Sequence, residues 1–127
     1  MLVVTRFDVP EVDGVAFLGR AQAALAAFAA RPGYLRGRVA RAADDPTLWI
    51  LTTEWSGVGA YRRSLGSYDV KVEAAPLLSL GRDEPSAFEV LHADDVATQP
   101  VTSPSRRARD ADQADIGSAS GPGTDDR

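Results

Sequence analysis

The feature that most limits what this chain can become is the order in which its hydrophobic periodicities follow one another over the first 92 residues. Leu2 to Val9 is rich in β-branched residues and alternates Val3, Thr5, Phe7 and Val9 with Leu2, Val4, Arg6 and Asp8. A period of two marks a strand. Pro10 stops that pattern, and Val15, Leu18, Ala21, Leu25, Phe28 and Ala29 then recur at helical spacing, with alanines between them supplying propensity. Asp13 is placed to cap this helix, with Val12 and Phe17 as a hydrophobic staple. Pro32 and Gly33 end it.

The period returns to two for Tyr34 to Ala42 and again for Leu48 to Trp55, with Asp44, Asp45 and Pro46 as turn chemistry between them, so a hairpin is predicted. Trp49, Leu51, Thr53 and Trp55 share one face of the second of these strands. Ser56 can cap a short helix carrying Val58, Tyr61 and Leu65 on one side, closed by Gly66. Ser67 to Ala75 reads as a further helix, kinked at Pro76 before Leu77, Leu78 and Leu80. Ser86 to Leu91 supplies a fourth strand. The order βαββααβ predicts an α+β domain over residues 1–92, with a ferredoxin-like antiparallel sheet and its helices on one face. Residues 93–127 hold Val96, Val101 and Ile116 as their only large apolar side chains. That composition cannot offset an ordering cost of about 1–2 kcal/mol per residue, so a disordered polar tail is expected.

Charge and cysteine content narrow the function. Residues 1–92 carry 10 Arg or Lys against 11 Asp or Glu, so the basic surface that nucleic-acid binding requires is missing. An RNA-binding domain of this topology would also want aromatics on its central strands beside basic residues; Phe7 and Trp49 satisfy this only faintly. The absence of cysteine removes disulfides, thiolate nucleophiles and sulfur-bound metals, and fits a cytoplasmic protein. No apolar stretch is expected to approach the roughly 20 residues of a membrane span, and no secretory leader is expected, since Met1 runs into a strand pattern. The sheet face opposite the helices carries Val4, Leu48 and Ile50, apolar enough that a second copy is the simplest cover, so a homodimer through this open face is expected. A single histidine, His92, rules against a Ser-His-Asp arrangement, and no glycine-rich phosphate loop follows a strand.

Several segments together resemble the antibiotic biosynthesis monooxygenase (ABM) family: Val3-Val4-Thr5-Arg6-Phe7, Arg31-Pro32-Gly33-Tyr34-Leu35, the strand Leu48 to Trp55 leading to Ala60-Tyr61, then Ala75-Pro76-Leu77-Leu78 and Phe88-Glu89-Val90. The resemblance covers about the first 91 residues. It implies a dimeric α+β barrel and one of three activities: cofactor-independent oxygenation of aromatic polyketides, quinol oxygenation or haem degradation. In the first, the ionised substrate itself reduces O2 and the caged radicals recombine at carbon, so the protein has only to hold the substrate in a dry pocket beside oxygen. No cofactor and no metal are implied.

On this resemblance Trp55 matches the tryptophan that ends the third strand of the polyketide oxygenases, and Tyr61 a pocket tyrosine. Leu51 stands where those enzymes place an asparagine, which removes a polar group able to hold a phenolic oxygen. The haem-degrading branch requires a histidine on the helix after the third strand, and Ser67 to Ala75 has none. The pocket candidates are therefore Trp55, Tyr61, Leu51 and Thr53, with Arg6 either in the pocket or at the dimer interface. Asp69 and Glu73 are the available general bases, unless the substrate ionises alone. Arg36, Arg38 and Arg41 are expected to be solvated or to pair across a dimer with Asp44, Asp45 or Glu54. Two functions follow as expectations: a cofactor-independent monooxygenase acting with O2 on a phenolic or quinol-type aromatic small molecule, or a non-catalytic dimeric small-molecule-binding or accessory protein of the same fold.

Overall fold

The computed structural model describes residues 1–96. The elements run β1 (Leu2–Asp8), α1 (Gly14–Ala29), β2 (Tyr34–Ala42), β3 (Asp45–Trp55), α2 (Val58–Ser64), α3 (Tyr68–Glu73), α4 (Ala75–Leu78) and β4 (Ala87–Phe88). They form one antiparallel four-stranded sheet in the order β2-β3-β1-β4. The helices lie on one face, so the α+β ferredoxin-like expectation holds. Met1–His92 is a unit by itself. The expected tail lies outside the described residues beyond Val96.

Alternation along β1 and β3 builds the core. Val3, Thr5 and Phe7 pair with Thr53, Leu51 and Trp49, and all six are buried beneath the helices. α1 covers them with Phe17, Ala21, Ala24, Ala27 and Phe28. This corrects the helical face expected from sequence, because Val15 is 88% exposed, Leu18 is also exposed, and Phe17 and Ala24 take the places nearest the sheet. Small alanines let the helix lie close to the strands, while each buried phenylalanine contributes about 1.5–3 kcal/mol. The staple is also absent. Val12 is exposed, and Asp13 makes no side-chain cap because a 3-10 turn over Glu11–Asp13 already leads the chain into the helix.

The stretch Glu11–Ala29 is long and apolar enough to cross a membrane by length and composition, contrary to the expectation that no such stretch exists. Its apolarity comes largely from alanine, and its buried face serves as the cover of the sheet.

The β2–β3 hairpin closes on a two-residue turn, Ala43-Asp44, with Ala42 opposite Asp45. β3 therefore begins three residues before the expected Leu48. The Asp45 carboxylate accepts hydrogen bonds from the Thr47 backbone N–H and hydroxyl and steadies that start. Arg36 forms its ion pair inside the chain, 2.7 Å from Glu54 on the neighbouring strand, and Arg41 lies 5.6 Å over the Trp49 ring. A register shift between Tyr34 and Arg36 brings Tyr34 opposite Trp55, on the helix side.

Ser67 caps α3 by accepting from the Val70 N–H, whereas Ser56, expected to cap α2, does not, because Gly57 takes the N-cap place and has no side chain to accept; Pro76 falls in the first turn of α4, where its missing N–H costs no hydrogen bond. β4 is two residues long rather than six. The segment before it, Gly81 to Ser86, runs beside β1. Arg82 N–H donates to the Arg6 carbonyl and Val4 N–H to the Ser86 carbonyl, with Arg6–Glu84 and Arg82–Asp8 as flanking two-point ion pairs.

Candidate functional site

Aromatic side chains under the helices gather into two groups. At one end Phe7 and Phe17 lie with ring centres 5.0 Å apart, and Phe17 meets Trp49 at 5.2 Å. The Trp49 indole N–H donates to the Pro46 carbonyl. At the other end Trp55 is 1% exposed and sits among Tyr34 (5.4 Å), Phe28 (5.6 Å) and Tyr61 (5.6 Å). The first two contacts are edge-on, the geometry that ring quadrupoles favour.

Local sequence explains how this second group assembles. Gly33, at φ +88°, turns the chain from α1 into β2 and places Tyr34 on the helix side. Trp55 ends the inward-facing series on β3, and six residues on, α2 delivers Tyr61. The Trp55 indole N–H donates to Thr53 Oγ1 at 2.9 Å, so its one polar atom is already engaged and its ring is left to pack or stack. Burial holds the Tyr61 hydroxyl above its ordinary value of 10, and that of Tyr34 as well, where Arg38 partly opposes the shift. Near neutral pH Tyr61 is therefore a hydrogen-bond donor rather than a phenolate base.

Beside Tyr61 lies a narrow slot lined by Val3, Thr5, Phe28, Leu51, Thr53, Tyr61 and Leu78. It is closely packed, with no room for a water-sized sphere. The register makes its floor: Val3 faces Thr53, and Thr5 faces Leu51. The walls are apolar, with the hydroxyls of Thr5, Thr53 and Tyr61 as the polar groups. Tyr61 also borders an open vestibule of about 330 Å³, whose other lining residues are Met1, Val58, Arg62, Leu65, Ala87, Phe88 and Glu89. A separate opening of about 290 Å³ lies at the other aromatic group, among Phe7, Val9, Asp13, Phe17, Arg20 and Leu80.

The structure thus brings together four of the five pocket candidates. Leu51, Thr53 and Tyr61 line the slot, and Trp55 backs Tyr61. Arg6 is not with them: it faces Ile50 across the opposite side of the sheet, where its Nε lies 2.9 Å from Glu84. Asp69 and Glu73 are exposed on α3, whose buried side chain is Val70, and His92 is exposed beyond β4. None of these three lines either cavity around Tyr61. Among the described residues there is no cluster of His, Cys, Asp or Glu able to hold a metal ion.

Sequence reading missed Val3, Thr5, Phe28 and Leu78 as slot residues and Tyr34 as part of the aromatic group. Alternation had placed Val3 and Thr5 on the inward face, so pairing β1 with β3 in the correct register would have found them. Tyr34 had no comparable signal, since its side depends on the irregularity at Leu35.

Comparison with known proteins fits this geometry. A family model described as antibiotic biosynthesis monooxygenase matches residues 1–72. Among solved structures, a protein from Deinococcus radiodurans assigned as an antibiotic biosynthesis monooxygenase superposes with a TM-score of 0.60 at 17% identity, covering 77% of this chain and 100% of its own. The Rv0793 protein of Mycobacterium tuberculosis gives 0.56 at 22% identity, covering 76% and 97%. A mutant of SnoaB, a cofactor-independent oxygenase from Streptomyces nogalater, gives 0.52 at 25% identity, covering 71% and 94%. No curated protein sequence matches. A family model spanning more than half of the chain, on a fold shared with these structures, shows that the protein belongs to the antibiotic biosynthesis monooxygenase family.

Proposed function

We propose that this protein is a cofactor-independent monooxygenase that acts with O2 on a phenolic or quinol-type aromatic small molecule. The observation that carries the reading is the place of Tyr61 between an open vestibule of about 330 Å³ and a dry, apolar slot with a few hydroxyls, too tight for water, with Trp55 as the aromatic backing. Such a site suits chemistry in which the substrate is its own reductant. The ionised aromatic passes one electron to O2, and the two radicals recombine at carbon before either escapes to water. The protein contributes confinement and orientation. Tyr61, kept protonated by burial, is the group best placed to hold a substrate oxygen. The similarity to SnoaB supports the cofactor-independent assignment.

The working unit in this reading is a homodimer. Leu2, Val4, Leu48 and Ile50 are only partly covered on the helix-free side of the sheet, and a second sheet laid against them would bury that surface.

Leu51 favours a second reading, a binding or accessory protein that retains the fold without the reaction. It lines the slot at 2% exposure and offers no polar atom where a phenolic oxygen would need one. Oxygen uptake over a panel of dihydroxynaphthalenes, anthrones and hydroquinones separates the two. The oxygenase reading expects consumption above the uncatalysed rate, weakened by Tyr61→Phe and Trp55→Phe. Silence across the panel, with saturable binding of the same compounds, supports the binding protein.

A further inference from the structure

We propose that Tyr61 is a gate, and that its outward movement with α2 joins the vestibule and the slot into one pocket able to take a fused-ring aromatic. The inference rests on the slot being the substrate pocket, as above, but not on any oxygen chemistry. Of the residues lining the slot and the vestibule, Tyr61 alone lines both. The slot by itself admits not even water, whereas the vestibule, at about 330 Å³, already reaches the range of about 300–1,000 Å³ typical of small-molecule sites. A ligand approaching through the vestibule meets the Tyr61 ring as the partition.

The element carrying that partition is lightly held. α2 has seven residues, its buried side chains are the small Ala60 and Ser64, and its N-cap Gly57 makes no side-chain cap. Few buried contacts and a weak cap place a segment at the low end of local stability. Among the described residues the Tyr61 hydroxyl has no hydrogen-bond partner to tether it, although the ring leans on Trp55 and Phe28. Ring contacts hold it closed, and a competing aromatic ligand can replace them with contacts of the same kind.

The test uses the full chain and N-phenyl-1-naphthylamine, an uncharged aromatic whose fluorescence rises on leaving water, followed by stopped flow. In the wild type the association rate levels off with probe concentration, because opening becomes limiting. Tyr61→Ala removes the partition, so the rate rises at least tenfold at high probe and stays linear in concentration. Tyr61→Phe keeps the ring, so its probe association levels off as in the wild type even though loss of the hydroxyl weakens oxygen uptake. Gly59→Ala stiffens α2 without entering the slot, since its added Cβ meets only the flexible end of Arg63. From the helix propensity difference it slows opening about fivefold, and it decides the matter should Tyr61→Ala fail to fold.

Association rates within twofold of wild type for Tyr61→Ala, or for Gly59→Ala if that variant has to decide, overturn the gate. So does the absence of probe binding in both wild type and Tyr61→Ala, or binding abolished by Leu80→Asp and untouched by Leu65→Asp, which places the probe at the other opening. A gated probe with no oxygen uptake on any substrate leaves the gate standing and removes the oxygenase; ungated binding with oxygen uptake does the reverse.

Discussion

Replacing Gly33 with alanine imposes two separable costs on the joint between α1 and β2. The first is conformational: at φ +88° an L side chain sits in a disfavoured region, at about 1–2 kcal/mol. The second is steric. A Cβ there collides with the Ala60 methyl and lies 2.9 Å from Ser56 Oγ, neither of which is the far end of a long side chain that could swing away. Overpacking of this kind costs about 1–3 kcal/mol, so Gly33→Ala should lose about 2–5 kcal/mol, against about 5–15 kcal/mol of total stability for an ordinary domain. Ala60→Gly removes the partner in the collision and alone costs about 1 kcal/mol in helix propensity. The double variant should therefore be more stable than the sum of the single losses by roughly the steric share, a coupling of about 1–3 kcal/mol. Urea unfolding followed by tryptophan fluorescence measures all four proteins, with Trp55 as a buried reporter. A loss below about 1 kcal/mol for Gly33→Ala refutes the strain argument. Simple additivity refutes the contact.

Thr53→Val leaves the Trp55 indole N–H buried without its acceptor and should lower stability by about 1–3 kcal/mol, read as a drop in Tm. Hydrogen bonds from Arg82 and Arg6 hold the Asp8 and Glu84 carboxyls below their ordinary values of 3.8 and 4.5. Groups lowered on folding stabilise the fold above those ordinary values, and that contribution is lost as pH falls through the folded ones. Thermal melts should thus show an acid loss, setting in below pH 4.5, that is shallower in the Asp8→Asn, Glu84→Gln double variant; identical acid slopes would contradict this. Sedimentation should find a dimer, and Ile50→Lys, which puts a charge in the middle of the helix-free face, should yield monomers with an unchanged circular dichroism spectrum. Removing residues 93–127 should leave Tm and dimerisation unaltered, as their polar composition implies.

The strands and the class of fold were legible in sequence because two-residue alternation dominates β1 and β3, where one side is wholly inside. α1 was legible as a helix and not as a face. Nearly every position from Val15 to Ala30 is apolar or small, so periodicity cannot single out the side of Phe17, Ala24 and Phe28 from that of Val15 and Leu18. Arg6 illustrates a different limit. Its alternation with apolar neighbours put it correctly on the face away from Phe7, but which face carries the pocket depends on where the helices pack, and its partner Glu84 is 78 residues away. Trp55 and Tyr61 could be singled out only by likeness to a family, since an inward-facing tryptophan on a strand is otherwise indistinguishable from Trp49. What brings Tyr34 beside them is a backbone irregularity that leaves no compositional trace.

The run from Gly81 to Ser86 has a bearing on how this sheet can associate. β4 pairs with β1 over only two residues, so most of β1 would otherwise present a row of unpaired N–H and carbonyl groups, a template on which another chain could extend the sheet. Irregular backbone lies along that row instead, fastened by Arg6–Glu84 and Arg82–Asp8, whose charged groups a further strand would have to strip of water. The individual ion pairs are too exposed to hold the fold together. Their value is to close the β1 edge of the sheet against the addition of a further strand, which leaves β2 as the edge open to pairing.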